Sequence, residues 1–190
     1  MNQICILFTY YNEPSNINAL NLLPEKFLNQ AERFKAHNRK LEFLTGRRLL
    51  SLALRELDRN QNIENIEYDN SGKPFFIGGP FFSISHSKGI AACAASNTNE
   101  LGLDIEIYRE IKIDNFNPWF TKEAISKIKQ SDKPELELIR QWTIKEALYK
   151  AGGDSAKEKD YKIISPQIND NYSTAIATKG EYQELIIKRI

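Results

Sequence analysis

The pattern of apolar and polar positions predicts a chain that passes twice from helices to strands. Stretches rich in apolar and β-branched residues are typical of strands, and they occur at residues 4–11, 63–68, 81–96, 101–107, 161–168, 173–178 and 181–190. Apolar residues spaced three and four apart are typical of amphipathic helices, and they occur at residues 24–37, 38–57, 121–130 and 134–151. This order favours an α+β fold with antiparallel sheets over a doubly wound parallel sheet.

The strand predicted at residues 101–107 alternates strictly between two kinds of residue. Leucine and isoleucine take every second position, which places Gly102, Asp104 and Glu106 together on the opposite face. Two carboxylates on one face repel each other unless a positive group lies between them, and Mg²⁺ prefers hard oxygen ligands. A solvated sheet face would explain the same pair, so this pattern leaves both interpretations open.

The helix predicted at residues 134–151 carries two different faces. One face is an apolar stripe, and the other carries Trp142, Glu146 and Lys150, which are spaced by four residues. The large ring of Trp142 indicates that this second face is at least partly covered. A covered glutamate needs a partner, which can be Lys150 or a metal ion, whereas an exposed helix would carry only an ordinary Glu–Lys pair.

Composition and charge narrow the class of protein. The 190 residues are 41% hydrophobic and 27% charged, which is ordinary for a globular domain, and the formal net charge is +1. Such a charge provides no overall field for binding nucleic acid or an anionic membrane surface. Cys5 and Cys93 lie in apolar runs and are expected to be buried free thiols. The N-terminal apolar run lacks a basic leader and is too short to span a membrane, so we expect a cytoplasmic protein.

Two further residues are candidates for phosphate binding. His86 lies between two serines at the end of a predicted strand, where its ring can donate a hydrogen bond to an anion. Lys73 lies on a turn predicted by the sequence NSGKP at residues 70–74. Each also has an ordinary explanation, because His86 can be a structural histidine and Lys73 an exposed loop lysine.

Four segments in this order resemble the 4′-phosphopantetheinyl transferase superfamily. They read GKP at 72–74, SISHS at 83–87, LGLDIE at 101–106 and WTIKEALYK at 142–150. The family pattern is G-[KR]-P, a strand ending S-H-S, a [VI]-G-[VI]-D-x-E strand and a helix with W-[ST]-x-K-E-[AS]-x-x-K. The sequence Gly46-Arg47-Arg48 also resembles a helical stretch of the larger members.

The resemblance implies a fold and an assembly. The length is similar to that of a compact member of the larger, surfactin-synthetase type. That type implies two pseudo-repeated halves, here residues 1–98 and 99–190, each an antiparallel sheet packed with helices. It also implies a monomer with pseudo-twofold symmetry and an active site in the cleft between the halves.

The resemblance further implies an activity. Such enzymes move the 4′-phosphopantetheine group of coenzyme A to a serine of an acyl or peptidyl carrier protein and release adenosine 3′,5′-bisphosphate. By this likeness Asp104, Glu106 and Glu146 would hold Mg²⁺, and Glu146 could also accept the serine proton. Lys150 would contact the pyrophosphate of coenzyme A.

The nucleotide end of coenzyme A would contact the first half of the chain. The residues that the resemblance places around coenzyme A, besides Lys150, are His86 at the 3′-phosphate with Ser85 nearby, Lys73 beside the adenine or that phosphate, Lys145 at the cleft edge, and Arg47, Lys26 and Arg33 as further basic candidates. Phe43 occupies a position that is often a phosphate-contacting threonine, which leaves the contacts from this half open.

The segment that links the carboxylate strand to the catalytic helix is somewhat short for this family. It contains an aromatic stretch at residues 115–120, which is either a surface for an acidic carrier protein or part of the core. Two other functions compete with the transferase. A Mg²⁺-dependent phosphodiesterase or nuclease would use the same carboxylates but not His86 or Lys73, and a non-catalytic homologue would bind coenzyme A or a carrier without turnover.

Overall fold

Two sheets lie between two long helices in the computed structural model, which describes residues 2–190. The strands are β1 (Gln3–Tyr10), β2 (Glu67–Tyr68), β3 (Pro74–Phe75), β4 (Phe81–Ser87), β5 (Ile90–Ser96), β6 (Leu101–Ile107), β7 (Lys162–Ile164), β8 (Tyr172–Thr178) and β9 (Glu184–Arg189). The helices are α1 (Pro14–Leu20), α2 (Glu25–Ala31), α3 (His37–Glu56), α4 (Lys122–Lys129) and α5 (Pro134–Gly152). None of the helices in this part of the chain is both long and apolar enough to cross a membrane. The α+β class predicted from the sequence is confirmed.

The first sheet combines antiparallel and parallel pairing. Its order is β4-β5-β1-β9, in which β5 pairs antiparallel with both β4 and β1, whereas β9 lies parallel to β1. The second sheet, β6-β8-β7, is antiparallel, and β2 and β3 form a separate pair. The prediction of antiparallel sheets is therefore wrong for β9. This strand has apolar side chains to bury on both faces, since Ile186 packs on the α3 side and Leu185 packs between the sheets.

In the described residues 2–190, three apolar clusters lie between the four layers of the fold, which are α3, the first sheet, the second sheet and α5. Helix α3 covers one face of the first sheet through Leu49, Leu50, Ala53 and Leu54, which pack with Cys5, Leu7, Ala91 and Cys93. The other face of this sheet packs on the second sheet, where Leu103, Ile105 and Ile176 meet Ile4, Ile6 and Ala92. Helix α5 covers the far face of the second sheet with Ile144, Ala147 and Ala151, which confirms the apolar stripe predicted for it.

Two glycines allow the long helices to lie directly on the strands that carry the candidate residues. A Cβ atom built on Gly46 of α3 would lie 2.8 Å from Cγ2 of Ile84 in β4. A Cβ atom built on Gly102 of β6 would lie 2.1 Å from the carbonyl oxygen of Ala147 in α5. The absence of side chains at these two positions therefore sets the distance between each helix and its strand.

Local differences from the predicted elements have short-range causes. The predicted strand at residues 63–68 begins instead as a short 3-10 turn, because the side chain of Asn62 accepts a hydrogen bond from the backbone of Glu64. The predicted helix at 24–37 ends at Ala31. Thr121 caps α4 as predicted, since its hydroxyl accepts from the Ala124 amide at 3.2 Å.

Both cysteines are buried free thiols, as predicted. They lie on neighbouring strands of the first sheet, where Cys5 faces Ala95 and Cys93 faces Leu7. Burial raises the pKa of the Cys5 thiol to about 12 and raises that of Cys93 as well. Both side chains therefore act as small apolar core groups rather than as nucleophiles.

Candidate active site

Asp104 lies at the centre of a buried polar cluster between β4, β6 and α5. The ammonium group of Lys150 donates to Oδ1 of Asp104 at 2.7 Å and to Oγ of Ser85 at 2.9 Å. The hydroxyl of Ser85 donates to the same Oδ1 at 2.8 Å. The Asp104 side chain is only 6% exposed, and its other oxygen, Oδ2, is buried without a hydrogen-bond partner among residues 2–190. One carboxylate oxygen is thus fully engaged, while the other is left for a ligand.

Two further carboxylates respond to the charge of Asp104. Burial, and then the negative charge of Asp104, raise the pKa of Glu106 and of Glu146. Glu106 accepts a hydrogen bond from the Ser87 hydroxyl at 3.1 Å. Within the part of the chain that the structure describes, no three acidic, histidine or cysteine side chains are yet close enough to share a metal ion. The free oxygen of Asp104 and the two carboxylates that it repels nevertheless fit the hard oxygen donors that Mg²⁺ prefers.

We expect Glu106→Gln to stabilise the metal-free protein at pH 8. A carboxyl whose pKa is raised on folding favours the folded state below its ordinary value of 4.5 and opposes it as the pH rises through the raised value. The glutamine amide carries no charge, so it removes this destabilisation, and its oxygen still accepts the hydrogen bond from Ser87. The midpoint temperature of thermal unfolding, measured with chelator present, should therefore rise by about 2 °C. The gain should vanish near pH 4, and the exposed Glu110→Gln is the control. An equal gain at both pH values would contradict the electrostatic cause.

A small cavity of about 190 Å³ surrounds His86 on the α3 side of β4. Its walls are Phe34, Arg39, Glu42, Phe43, Arg47, Ile84 and His86. Nδ1 of His86 lies 3.4 Å from a carboxylate oxygen of Glu42, which also accepts from Arg39 at 2.9 Å. Burial lowers the pKa of His86, and Glu42 opposes that shift. The cavity therefore brings the guanidinium groups of Arg39 and Arg47 close to His86. Burial disfavours the protonated form of this histidine, and Glu42 favours it.

Arg47 is held in this cavity by aromatic contacts. Its guanidinium carbon lies 4.8 Å from the ring centre of Phe43 and 5.7 Å from that of Phe27, and it donates to the Tyr68 hydroxyl at 2.9 Å. The ring of Phe43 thus packs against the arginine. Lys26, by contrast, donates to the backbone carbonyl of Glu64. Arg33 is exposed in the turn after α2.

A cleft of about 710 Å³ lies between the turn at residues 69–74 and the C-terminal end of α5. Its walls include Lys73 from the turn, Lys150 and Tyr149 from α5, and residues 152–154. The ammonium group of Lys73 lies 3.4 Å from the backbone carbonyl oxygen of Ala151. The structure therefore places Lys73 and Lys150 along one cleft.

Lys145 lines a neighbouring cavity of about 390 Å³ instead. Trp119, Glu146 and Tyr149 form its other main walls, and Tyr149 also borders the large cleft. The two cavities thus meet at Tyr149. Glu146 and Lys150 lie one helical turn apart, with Glu146 facing one cavity and Lys150 facing the other.

Aromatic rings cover Trp142, as the sequence predicted. The ring centre of Trp142 lies 5.1 Å from Phe116, 5.8 Å from Trp119 and 6.4 Å from Phe120. Trp119 is nevertheless 51% exposed. The stretch 115–120 is thus half-buried at Phe116 and Phe120, and it is exposed at Trp119, which lines the Lys145 cavity.

Four residues used in these sites were missed in the sequence. Arg39, Glu42 and Tyr68 come close to His86 and Arg47 only through the tertiary fold, so no local pattern indicates them. Ser87 belongs to the SHS sequence already singled out, and the alternation of a strand places it on the same face as Ser85. The same alternation directs Ser85 away from His86, so the structure places its hydroxyl beside Asp104 and not with the histidine.

Comparisons with known proteins cover most of the chain. Residues 24–96 match the 4′-phosphopantetheinyl transferase N-terminal domain, and residues 100–188 match the 4′-phosphopantetheinyl transferase superfamily. The chain is 30% identical over 148 residues to 4′-phosphopantetheinyl transferase HetI of Nostoc sp., covering 72% of this chain and 62% of that protein. It is 35% identical over 136 residues to 4′-phosphopantetheinyl transferase AcpT of Salmonella typhi, covering 67% and 64%. The chain thus spans less than two thirds of the length of these curated relatives.

Proposed function

The chain belongs to the 4′-phosphopantetheinyl transferase superfamily, and we propose that it transfers 4′-phosphopantetheine from coenzyme A to a serine of an acyl or peptidyl carrier protein. Adenosine 3′,5′-bisphosphate is the leaving group. The observation that carries this proposal is the buried cluster of Asp104, Lys150 and Ser85 at the cleft between the halves. A buried carboxylate with one free oxygen, beside a lysine that faces a large cleft, suits a site that binds both a cation and phosphates.

Asp104, Glu106 and Glu146 are the residues that would hold Mg²⁺. The free Oδ2 of Asp104 and the raised pKa of the two glutamates support this assignment. When bound, the ion neutralises charge on the phosphate that is attacked and on the phosphate that leaves.

In this proposal Lys150 stabilises charge on the transferred phosphate, and Glu146 accepts a proton. Lys150 faces the large cleft, where its positive charge stabilises the transferred phosphate. Glu146 faces the neighbouring cavity, and its raised pKa moves it toward the range in which a carboxylate is an effective proton acceptor. We assign it the proton of the attacking carrier serine.

The nucleotide end of coenzyme A binds to the first half of the chain. His86, Arg47 and Arg39 line one small cavity, and guanidinium groups with an imidazole are typical partners of a phosphate. We place the 3′-phosphate there and the adenosine in the large cleft beside Lys73. Ser85 is buried against Asp104, so we assign it to the carboxylate side and not to this phosphate.

The carrier protein docks at the exposed aromatic surface beside Glu146. Trp119 is half exposed there, and Lys145 lies in the same cavity wall. An apolar patch with a basic rim suits an acidic helix that presents a serine.

We further propose that the protein is a cytoplasmic monomer of the surfactin-synthetase type with pseudo-twofold halves. The separate matches to residues 24–96 and 100–188 support a division near residue 98. Strand β9 crosses from the second half into the first sheet, so the two halves share one sheet.

The decisive experiment is intact-protein mass spectrometry of an apo acyl carrier protein incubated with this protein, coenzyme A and Mg²⁺. We expect the carrier to gain the mass of one phosphopantetheine, and we expect the gain to disappear with chelator. Glu146→Gln should reduce the rate about a hundredfold or more, because it removes both a proposed metal ligand and the proton acceptor.

The controls separate the competing functions. Release of adenosine 3′,5′-bisphosphate without a carrier, and with no mass gain, would support a phosphodiesterase. Coenzyme A binding with no gain on several unrelated apo carriers would support a non-catalytic homologue. Absence of coenzyme A binding would contradict the proposed function altogether.

A further inference from the structure

Strands β4 and β6 lie side by side, but serine side chains connect them instead of a backbone ladder. Within residues 2–190, strand pairing does not join β4 to β6, although the two are in close contact. From Ser83 to the end of β4, alternate residues are serines whose hydroxyl oxygen accepts from a β6 amide. The distances are 2.9 Å for Ser83 and Leu103, 3.3 Å for Ser85 and Ile105, and 3.0 Å for Ser87 and Ile107. These three serines, here called the serine ladder, satisfy β6 amides that a paired strand would otherwise satisfy.

The acceptor role leaves each hydroxyl with one proton to donate elsewhere. Ser85 donates to Asp104 Oδ1 at 2.8 Å, and Ser87 donates to Glu106 Oε2 at 3.1 Å. Among residues 2–190, Ser83 donates to no carboxylate and reaches only the carbonyl oxygen of Leu103, at 3.5 Å. Two of the three serines thus connect the backbone of β6 to its own carboxylates, and the third makes only the backbone contacts.

We propose that Ser85 and Ser87 are positioning residues that hold the Asp104 and Glu106 carboxylates ready for a divalent cation. Both serines are buried, at 4% and 8% exposure, and neither needs to touch substrate. Two carboxylates on one face of a strand repel each other, and unrestrained side chains would turn apart. Each serine hydroxyl is itself held by a backbone amide, so its hydrogen bond keeps the carboxylate in place. This inference rests on the proposed function, because it assigns the carboxylates to a cation.

The test compares two serines that make equivalent ladder contacts. Ser87→Ala removes the donor to Glu106, whereas Ser83→Ala removes only backbone contacts. Mn²⁺ is titrated into each protein without coenzyme A or carrier, because Ser83 also lines the large cleft, and free Mn²⁺ is followed by electron paramagnetic resonance. We expect Ser87→Ala to bind Mn²⁺ about tenfold more weakly than the unaltered protein, because a lost outer partner of a metal ligand has that effect. Ser83→Ala should bind Mn²⁺ with unchanged affinity.

Further measurements separate positioning from folding. The midpoint temperature of thermal unfolding should fall by similar amounts in Ser87→Ala and Ser83→Ala, since both leave one β6 amide unpaired. Ser87→Thr keeps the hydroxyl and should restore Mn²⁺ affinity. In the transfer assay, Ser87→Ala should raise the Mg²⁺ concentration needed for half-maximal rate while the KM for coenzyme A stays the same.

The outcomes are distinguishable. Unchanged Mn²⁺ affinity in Ser87→Ala, or an equal loss in Ser83→Ala, would overturn the positioning role and leave the proposed function intact. Failure of the unaltered protein to bind Mn²⁺ would overturn the carboxylate site itself, and the positioning role with it.

Discussion

Gly102→Ala is expected to lower the free energy of unfolding by about 3 kcal/mol, the upper end of what overpacking costs in a tight core. The added methyl would lie 2.1 Å from the carbonyl oxygen of Ala147, 2.4 Å from the amide nitrogen of Ala151 and 2.9 Å from the carbonyl carbon of Lys150. All three are backbone atoms of α5, so no side chain can rotate away and the helix itself must move. Urea denaturation followed by circular dichroism measures the loss.

The same change should also lower activity in the protein that remains folded. Helix α5 carries Glu146 and Lys150, and its displacement from β6 separates them from Asp104. A misplacement of about 1 Å in a catalytic group costs about a hundredfold in rate. Transfer to an apo carrier, measured at a temperature where the variant is folded, reports this effect.

Gly46→Ala is the matched control for this prediction. Its added methyl would crowd only side-chain atoms of Ile84, of which Cγ2 is the nearest at 2.8 Å, and that side chain rather than a backbone segment has to shift. Alanine also favours a helix over glycine by about 1 kcal/mol, which offsets the crowding. We therefore expect near-neutral stability, and equal losses at both glycines would show that backbone contact at Gly102 is not the cause.

Elements with a strong local period were predictable from the sequence. Strand β6 and helix α5 each bury one regular face, so the periodicity alone locates their core residues and their polar faces. Helix α1 was not predicted, because it has only seven residues and no side-chain cap. It depends on tertiary contacts, in which Asn16 donates to Thr45 at 2.9 Å and to the backbone carbonyl of Tyr11 at 3.2 Å.

Pairings within the site were harder to predict than the residues themselves. The spacing of α5 suggested Lys150 or a metal as the partner of Glu146, whereas the structure pairs Lys150 with Asp104. This pairing depends on the distance between α5 and β6, which the spacing of residues along a helix does not determine. The contact of Glu42 with His86 likewise joins a helix to a strand that is remote in sequence.

Lys150→Met should both destabilise the protein and reduce its activity. The Asp104 side chain is 6% exposed, so removal of the ammonium group leaves a buried negative charge with Ser85 as its remaining side-chain donor. Breaking a buried ion pair from one side costs about 3 kcal/mol. Under the proposed function Lys150 stabilises the transferred phosphate, so its loss should reduce the transfer rate by at least about a hundredfold.

A double-mutant cycle with Asp104→Asn separates the pair from its surroundings. Asp104→Asn should cost less than Lys150→Met, because Lys150 is 29% exposed and can turn toward the water of the cleft. The double variant should be more stable than Lys150→Met alone, since it no longer buries an unpaired charge. Additive losses would exclude coupling between the two side chains.

Added Mg²⁺ should stabilise Lys150→Met more than it stabilises the unaltered protein, because in the variant a cation at the Asp104 carboxylate replaces the missing lysine charge. Equal stabilisation of both proteins would argue against a cation site at Asp104.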